Sequence, residues 1–560
     1  MRVIVVPQNP LKKYHFKAYA RSSQSWSAKM PQSVLNPDSH RTLSRSITHF
    51  FLGTMLSRIT GFLREVALGT WMGATATLAN FFIAYRFSHL LRKFFGESAL
   101  LSSFTPHFET LRAQDEEKAR NFFRDLLAGL TLLIILITVI LEGGLFCLLS
   151  QVKESPDLYA ALYLTAIMLP GAIFICLYAL FSALLQAQKR YFITGLAPFL
   201  FNVTFIAVLF QIKDEPPLLG VEKLSWGVTF AFFVQFLFIT CFTLPFLRKV
   251  NWRTVRVWTP DIRKAASAIG MTMVGAGAVQ INSFIDTLFA RVSESSGPAY
   301  LYYAARLYHL PIALVSLAIV SALTPPLARA RSQNDPEKFL HLFQFAVQKN
   351  LIVMIPLTLL FLISGPSLVN FVYGRGAFNH EAVVSTTWCL WGYGIGLVPS
   401  TLALILAPAF YAKKDFLTPL KGSLLSFAFN IILNCYLIYG LQAGPASVAF
   451  TTTIAGTLNA AYLMIKLFRE EGAFLSEESV SVVGKTLLCT LGAGLIVGVI
   501  DIFMNPGSFF ALFNEVPQFF THFSSQFFYL GFQGVLFVMC FLCFAWVGKV
   551  RPIFQMIGLK

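Results

Sequence analysis

Apolar stretches of about 20 residues or more follow one another along almost the whole chain, separated by short segments rich in Lys, Arg, Pro and Gly. Each is long enough to cross a hydrocarbon core of about 30 Å as a helix. About fourteen can be drawn, among them 47–72, 76–104, 121–150, 158–187, 265–292 and 382–412, with the last two at 481–504 and 524–548. In lipid every backbone polar group has to be satisfied inside the chain, so the pattern predicts an all-α polytopic membrane protein. Composition agrees: 56% hydrophobic residues in 560 and a mean hydropathy of +0.64 leave more apolar surface than a soluble core can hide.

A formal net charge of +17 would suit a nucleic-acid binder if the cations formed one patch, but they sort by loop instead. If the N-terminus is cytoplasmic, that side collects Arg112, Lys118, Arg120 and Arg124, then Lys189 and Arg190, then Arg248 to Lys264, and later Lys413, Lys414, Lys549 and Arg551. The other side holds only Lys153, Lys213, Lys223, Arg375 and the membrane-edge Arg291. This positive-inside bias predicts an even helix count, two cytoplasmic termini, and no nucleic-acid partner. Residues 1–46 carry no spanning run and eight basic residues against Asp38. They read as a basic cytoplasmic extension, or as an over-long start with Met30 the initiator, rather than a transit peptide. Eight cysteines scattered through apolar segments indicate neither a disulfide framework nor a zinc site.

Two sets of matching segments keep register along the chain. FFIAYRFSHLL around Arg86 matches LYYAARLYHLP around Arg306. QAQKRYFIT at 186–194 matches YAKKDFLTP at 411–419, and the FLFN ending at Asn202 matches the FAFN ending at Asn430. The matches come in the same order and at nearly the same offset. They predict two parallel six-helix repeats, 47–250 and 262–470, followed by two C-terminal helices over 481–549 and a cytoplasmic tail over 550–560. Parallel repeats related by an axis along the membrane normal are a transporter architecture, with the substrate site between the halves.

Charges inside the spans are the candidate chemistry. The first span carries Arg58, Arg64 and Glu65, the second Arg86, Arg92, Lys93 and Glu97, and the eighth Arg306. An Arg at the bilayer centre costs about 2.5 to 3.5 kcal/mol, which places Arg58, Arg64 and Arg306 in a wet cavity rather than against lipid. Lys93 reads better as snorkelling to the interface, and Arg92 fits either reading. Their spacing puts Arg58 and Arg64 about 120° apart on the helix, enough to line one concave wall. Such a cavity suits an anion, because guanidinium groups clamp phosphate oxygens in bidentate fashion. A second cluster is Asp286 in the seventh span with Asn430 and Asn434 one turn apart in the eleventh. It could hold Na+ or carry a proton, or it could only hydrogen-bond neighbouring helices.

The run from Leu56 to Pro106, together with Tyr302–Pro311, Ala407–Pro419 and Leu184–Asn202, resembles the MurJ (MviN) lipid II flippases of bacteria. The resemblance covers roughly 47–549 and implies the MOP exporter fold, two six-helix lobes rocking about a central cavity, with the last two helices forming a lipid-tail groove. It implies lipid II as cargo, a monomer in the bacterial inner membrane, and diphosphate-binding arginines at Arg58, Arg64, Arg92 and Arg306. No cofactor is implied beyond a coupling cation, Na+ or a proton. The chain departs from the family pattern where acids are frequent: Ala79 is followed by Asn80, and Ala305 and His309 flank Arg306. Competing functions are another MOP exporter, whether of drugs or of a different polyprenyl-diphosphate oligosaccharide, and an intramembrane transferase. A drug exporter would present carboxylates, and a transferase would need acid or His groups clustered at one face, which the dispersed histidines do not supply.

Overall fold

The computed structural model describes residues 40–95, 97–472, 476–504 and 522–556. The expectations for residues 1–39, including Met30, and for 557–560 therefore lie outside the described residues. Among those described there is helix and connecting turn but no strand. The first half comprises α1 (His40–Met72), α2 (Ala76–Phe95), α3 (Glu97–Gln114), α4 (Glu116–Gln151), α5 (Pro156–Met168), α6 (Gly171–Ala187), α7 (Tyr191–Ile212) and α8 (Pro217–Leu247). The second half comprises α9 (Pro260–Ser293), α10 (Gly297–Pro311), α11 (Leu317–Ser332), α12 (Pro336–Tyr373), α13 (His380–Ile395), α14 (Leu397–Ala412), α15 (Leu417–Cys435) and α16 (Ala446–Glu471). Beyond it come α17 (Glu477–Met504), α18 (Phe523–Val547) and the short α19 (Arg551–Met556).

Polar residues set where helices begin. Asp115, Thr259, Asp335 and Asn379 each accept a backbone N–H from the first turn of the helix that follows, and Pro260 and Pro336 occupy the first helical position. The connection between the halves is fastened to α4. Arg124, itself buried, donates to the Asn251 carbonyl at 2.7 Å and to Thr254 Oγ1 at 2.8 Å, while Asp125 accepts the Arg256 amide at 3.0 Å.

By length and apolarity nine described helices can cross a membrane, or eleven when two bent pairs each count as one span. The expected fourteen is not reached by this measure. The three expected spans that fall short are 47–72, 76–104 and 265–292, and they are the ones carrying Arg58, Arg64 and Glu65, Arg86, Arg92 and Lys93, and Asp286. The same charges that mark a cavity lower the apolarity of the helices that build it.

The two bent pairs reveal the internal repeat. α5 and α6 meet at 41°, α13 and α14 at 42°, and each pair is the fourth predicted span of its half. Each pair ends in a turn with a lysine in the left-handed region, Lys189 at φ 61° and Lys414 at φ 62°, at the offset the sequence matches share. Within the first half α1 lies against α7 and α6 against α8; within the second, α13 and α15 lie against α16. α17 and α18 pack on each other and on α12, away from the contacts that α2 and α3 make with α9 and α10.

The halves touch at two ends. At one, the Ala377 amide donates to the Thr70 carbonyl at 2.8 Å and the Tyr303 hydroxyl donates to the Gly73 carbonyl at 3.0 Å. Gly73 at φ 65° and Gly376 at φ 58° permit this approach: a Cβ at Gly376 would lie 2.2 Å from the Thr70 carbonyl, and one at Gly73 2.4 Å from the Ala377 carbonyl. At the other end α3 meets α9, with His107 Nε2 3.5 Å from Asp261 Oδ1.

Candidate functional site

Between those two contacts lies a cavity of about 450 Å3 walled by both halves. Its cations are Arg64, Arg86, Arg92, Lys93 and Arg306, and among the described residues no carboxylate lines it. Lys93, read from sequence as an interface residue, is thus on the cavity wall. Of the four expected diphosphate ligands the structure brings together Arg64, Arg92 and Arg306; Arg58 lines a neighbouring pocket instead. One helix cannot present both Arg58 and Arg64 to a narrow space when they diverge by about 120°.

Arg64 and Arg306 are joined through Glu65. Arg64 Nη2 donates to Glu65 Oε1 at 2.5 Å, Arg306 Nε lies 3.4 Å from the same oxygen, and the Tyr302 hydroxyl donates to it at 3.1 Å. Arg306 also donates to the Tyr302 hydroxyl at 2.8 Å, and its guanidinium sits 4.6 Å from the Tyr302 ring. Phe82 stacks on that ring at 3.8 Å, fixing it in place. Glu65 Oε2 is buried with no hydrogen-bond partner among the described residues. The two arginines differ in access: the Arg64 side chain is 11% exposed and that of Arg306 is 41% exposed. Arg64 is further held by Asn202 Oδ1 at 3.0 Å and by the rings of Phe201 and Phe205. Arg306 is therefore the arm open to a ligand, and Arg64 the anchored one.

Arg86 bridges the halves as well, donating to the Ser283 carbonyl at 2.7 Å and to Ser283 Oγ at 2.5 Å. One turn further along α9, Asp286 is buried among amides. Asn434 Nδ2 donates to its Oδ1 at 3.3 Å, while Asn282 Nδ2 at 3.2 Å and Thr452 Oγ1 at 3.0 Å donate to Oδ2. Asn434 also donates to Asn430 Oδ1 at 3.1 Å, so the structure does gather Asp286, Asn430 and Asn434. The carbonyl oxygens of Asn434 and Asn282 are buried with no hydrogen-bond partner among the described residues. Two orphaned hard oxygens on amides that touch a carboxylate fit a hard monovalent cation.

Sequence reasoning counted Glu65 and Arg86 among the in-span charges but gave them no part in holding the site together, and it passed over Asn202 and Tyr302 as site residues. Glu65 carried a signal, since an acid next to an arginine inside a span costs as much to bury as the arginine does. Arg86 carried one too, being the repeat partner of Arg306. Asn202, the repeat partner of Asn430, holds Arg64 just as Asn430 holds the Asp286 cluster. The departures noted from the family pattern fall near the same place: Ala305 and His309 line the cavity, and Ala79 is buried. The acid that faces Arg306 comes from α1.

Comparison with known proteins bears on what this cavity serves. The family model described as lipid II flippase MurJ matches residues 68–517. A probable lipid II flippase MurJ of Chlamydia trachomatis serovar D is 31% identical over 71% of this chain and 74% of its own length. Its counterpart in Chlamydia pneumoniae is 30% identical over 84% and 87%. Among solved structures, a lipid II flippase MurJ in an inward closed conformation superposes with a TM-score of 0.72 at 22% identity, covering 90% of this chain and 99% of that one. An inward-facing multidrug resistance MATE transporter of the MOP superfamily gives 0.59 at 15% identity, covering 77% and 98%. The fold is that of the MOP superfamily, and the chain belongs to the MurJ family of lipid II flippases.

Proposed function

We propose that this chain carries lipid II from the cytoplasmic to the outer leaflet of the bacterial inner membrane by alternating access of its two halves, working as a monomer with both termini cytoplasmic. The observation that supports this reading is the cavity between the halves, where five cationic side chains face a space with the Glu65 carboxylate at its edge. A diphosphate on Arg306, Arg92 and Arg64 would compete with Glu65 for the two arginines it holds. Cargo binding thereby loosens or remakes a contact between the halves, which is what a carrier needs. The end sealed by Thr70 and Ala377 is the external one in this reading. The long apolar faces of α17 and α18 serve the polyprenyl tail.

Asp286 with Asn430 and Asn434 serves as the site of a coupling cation, Na+ or a proton. A cation bound there would meet the buried carboxylate directly, whereas the Arg86 guanidinium stands one turn away on Ser283. Asp286→Asn removes that charge, so the Na+ or pH dependence of flipping in proteoliposomes disappears; a dependence that persists unchanged assigns Asp286 to helix packing.

The decisive test is Arg306→Ala. A charge-assisted contact contributes roughly 1.5 to 3 kcal/mol, so binding of undecaprenyl diphosphate-linked cargo to the purified protein should weaken by about one to two orders of magnitude. Arg306→Lys keeps the charge and loses the fork, and falls between. Full cargo binding and flipping in Arg306→Ala would reduce the arginine to a structural role.

A further inference from the structure

Arg58 lines a second cavity of about 290 Å3, lying wholly in the first half between α1, α6 and α7. It adjoins the central cavity along a wall that Ser57 and Pro198 share. Its other polar lining is neutral: Thr54, Tyr178, Ser182, Gln186 and Thr194. Ser182 and Thr194 are buried, and Gln186 Nε2 donates to Ser182 Oγ at 3.3 Å. Arg58 is exposed to this space and makes no ion pair among the described residues. One cation set in a shell of hydroxyls and an amide, in a helix that crosses a membrane, is an expensive arrangement without an anion to receive.

We infer that this pocket is a separate subsite for a carboxylate of the cargo's peptide, resting on the reading of the cargo as lipid II. Three features set it apart from the diphosphate site. Arg58 stands about 9 Å along the helix axis from Arg64 and faces about 120° away, so one diphosphate on Arg306 cannot also sit on Arg58. A singly charged, planar carboxylate matches one guanidinium fork beside the Ser182 hydroxyl, which accepts from Gln186 and keeps its own hydrogen to donate, whereas the multiply charged diphosphate is better met by the several cations next door. The separation suits a head group, since even a few extended peptide residues at about 3.3 Å each reach from one cavity past Pro198 into the other.

The test measures binding of three probes to the full-length purified chain: lipid II with free peptide carboxylates, the same lipid with those carboxylates methyl-esterified, and undecaprenyl diphosphate. The wild type should bind the acid about tenfold more tightly than the ester. Arg58→Gln should bring that preference to within about twofold while leaving undecaprenyl diphosphate affinity unchanged, and Arg306→Gln should do the reverse. Arg58→Lys, which keeps the charge, should retain a preference of about threefold, and a full tenfold preference in it would overturn the fork. Equal wild-type affinity for acid and ester overturns the carboxylate assignment. A loss of undecaprenyl diphosphate binding in Arg58→Gln equal to that in Arg306→Gln returns Arg58 to the diphosphate site. Failure of the wild type to bind any of the three probes instead removes the lipid II reading, and the subsite with it.

Discussion

Arg86 and Arg306 hold matching places in the two halves, and each reaches across to the first span of the other. Arg86 meets Ser283 on α9, and Arg306 meets Glu65 on α1; the receiving residues are spaced along the chain almost as the arginines are. The crossing is the same by construction and different in chemistry. Glu65 is charged, shared with Arg64 and 7% exposed, whereas Ser283 offers a neutral carbonyl and a hydroxyl. One crossing is an ion pair that an incoming anion can contest; the other is a hydrogen bond that leaves the Arg86 charge in the cavity. The repeat gives both crossings the same geometry, and the receiving residue, Glu65 or Ser283, makes one a breakable contact and leaves the other a standing positive charge.

The sharpest way to break this comparison is Glu65→Ala. It strands the anchored Arg64 and deprives Arg306 of its partner, so the loss should be about 3 to 5 kcal/mol of stability, with flipping abolished. Thermal unfolding in detergent and complementation of a flippase-depleted strain measure both. Ser283→Ala removes a hydroxyl but leaves the carbonyl, and should cost about 1 kcal/mol with flipping retained. Equal damage from the two would show that the crossings are energetically alike after all.

A smaller difference lies in the turns with left-handed lysines. After Lys414, Asp415 accepts the backbone amides of Leu417 and Thr418 at 3.0 Å each, while Arg190, at the matching place, makes no side-chain cap. The Thr418 side chain, aided by those amides, holds the Asp415 carboxyl below its usual range. Asp415→Ala should cost about 1 kcal/mol, and a change at Arg190 almost nothing, as thermal unfolding of the two variants would show. Because the folded state lowers this acid's affinity for protons, its contribution is complete above about pH 4 and fades as pH falls further, so the two variants should converge in acid.

Much of this was legible in the sequence because lipid makes hydrophobic pattern nearly decisive. Residues of one span such as Arg64, and the echo of Arg86 in Arg306, were enough to indicate a cationic cavity between two repeats. Side-chain direction was not legible: spacing along α1 could not say that Arg58 and Arg64 face different cavities, because that depends on where α6 and α7 pack. Nor could it show that the missing acids near Arg306 are answered by Glu65, which belongs to the opposite half of the chain. The count of spans was obscured for the same reason that the site was visible, since polar cavity helices read as poor membrane helices.

The contact between Thr70, Gly73, Ala377 and Tyr303 uses three main-chain groups and one phenol, and no ion pair. Two such hydrogen bonds favour the joined state by about 1 to 3 kcal/mol, a ratio of roughly fivefold to 150-fold. Thermal agitation alone therefore breaks them often; beside them Arg291 and Asp157 form an ion pair across the halves at 2.7 Å with Asp157 largely exposed, and that is the part of the closure dissolved salt weakens. Traffic in the right direction must then be governed deeper inside, by whether Glu65 or the cargo holds the arginines at that moment. The closure acts as a loose door whose swing is cheap and frequent, and the lock stands in the middle of the room.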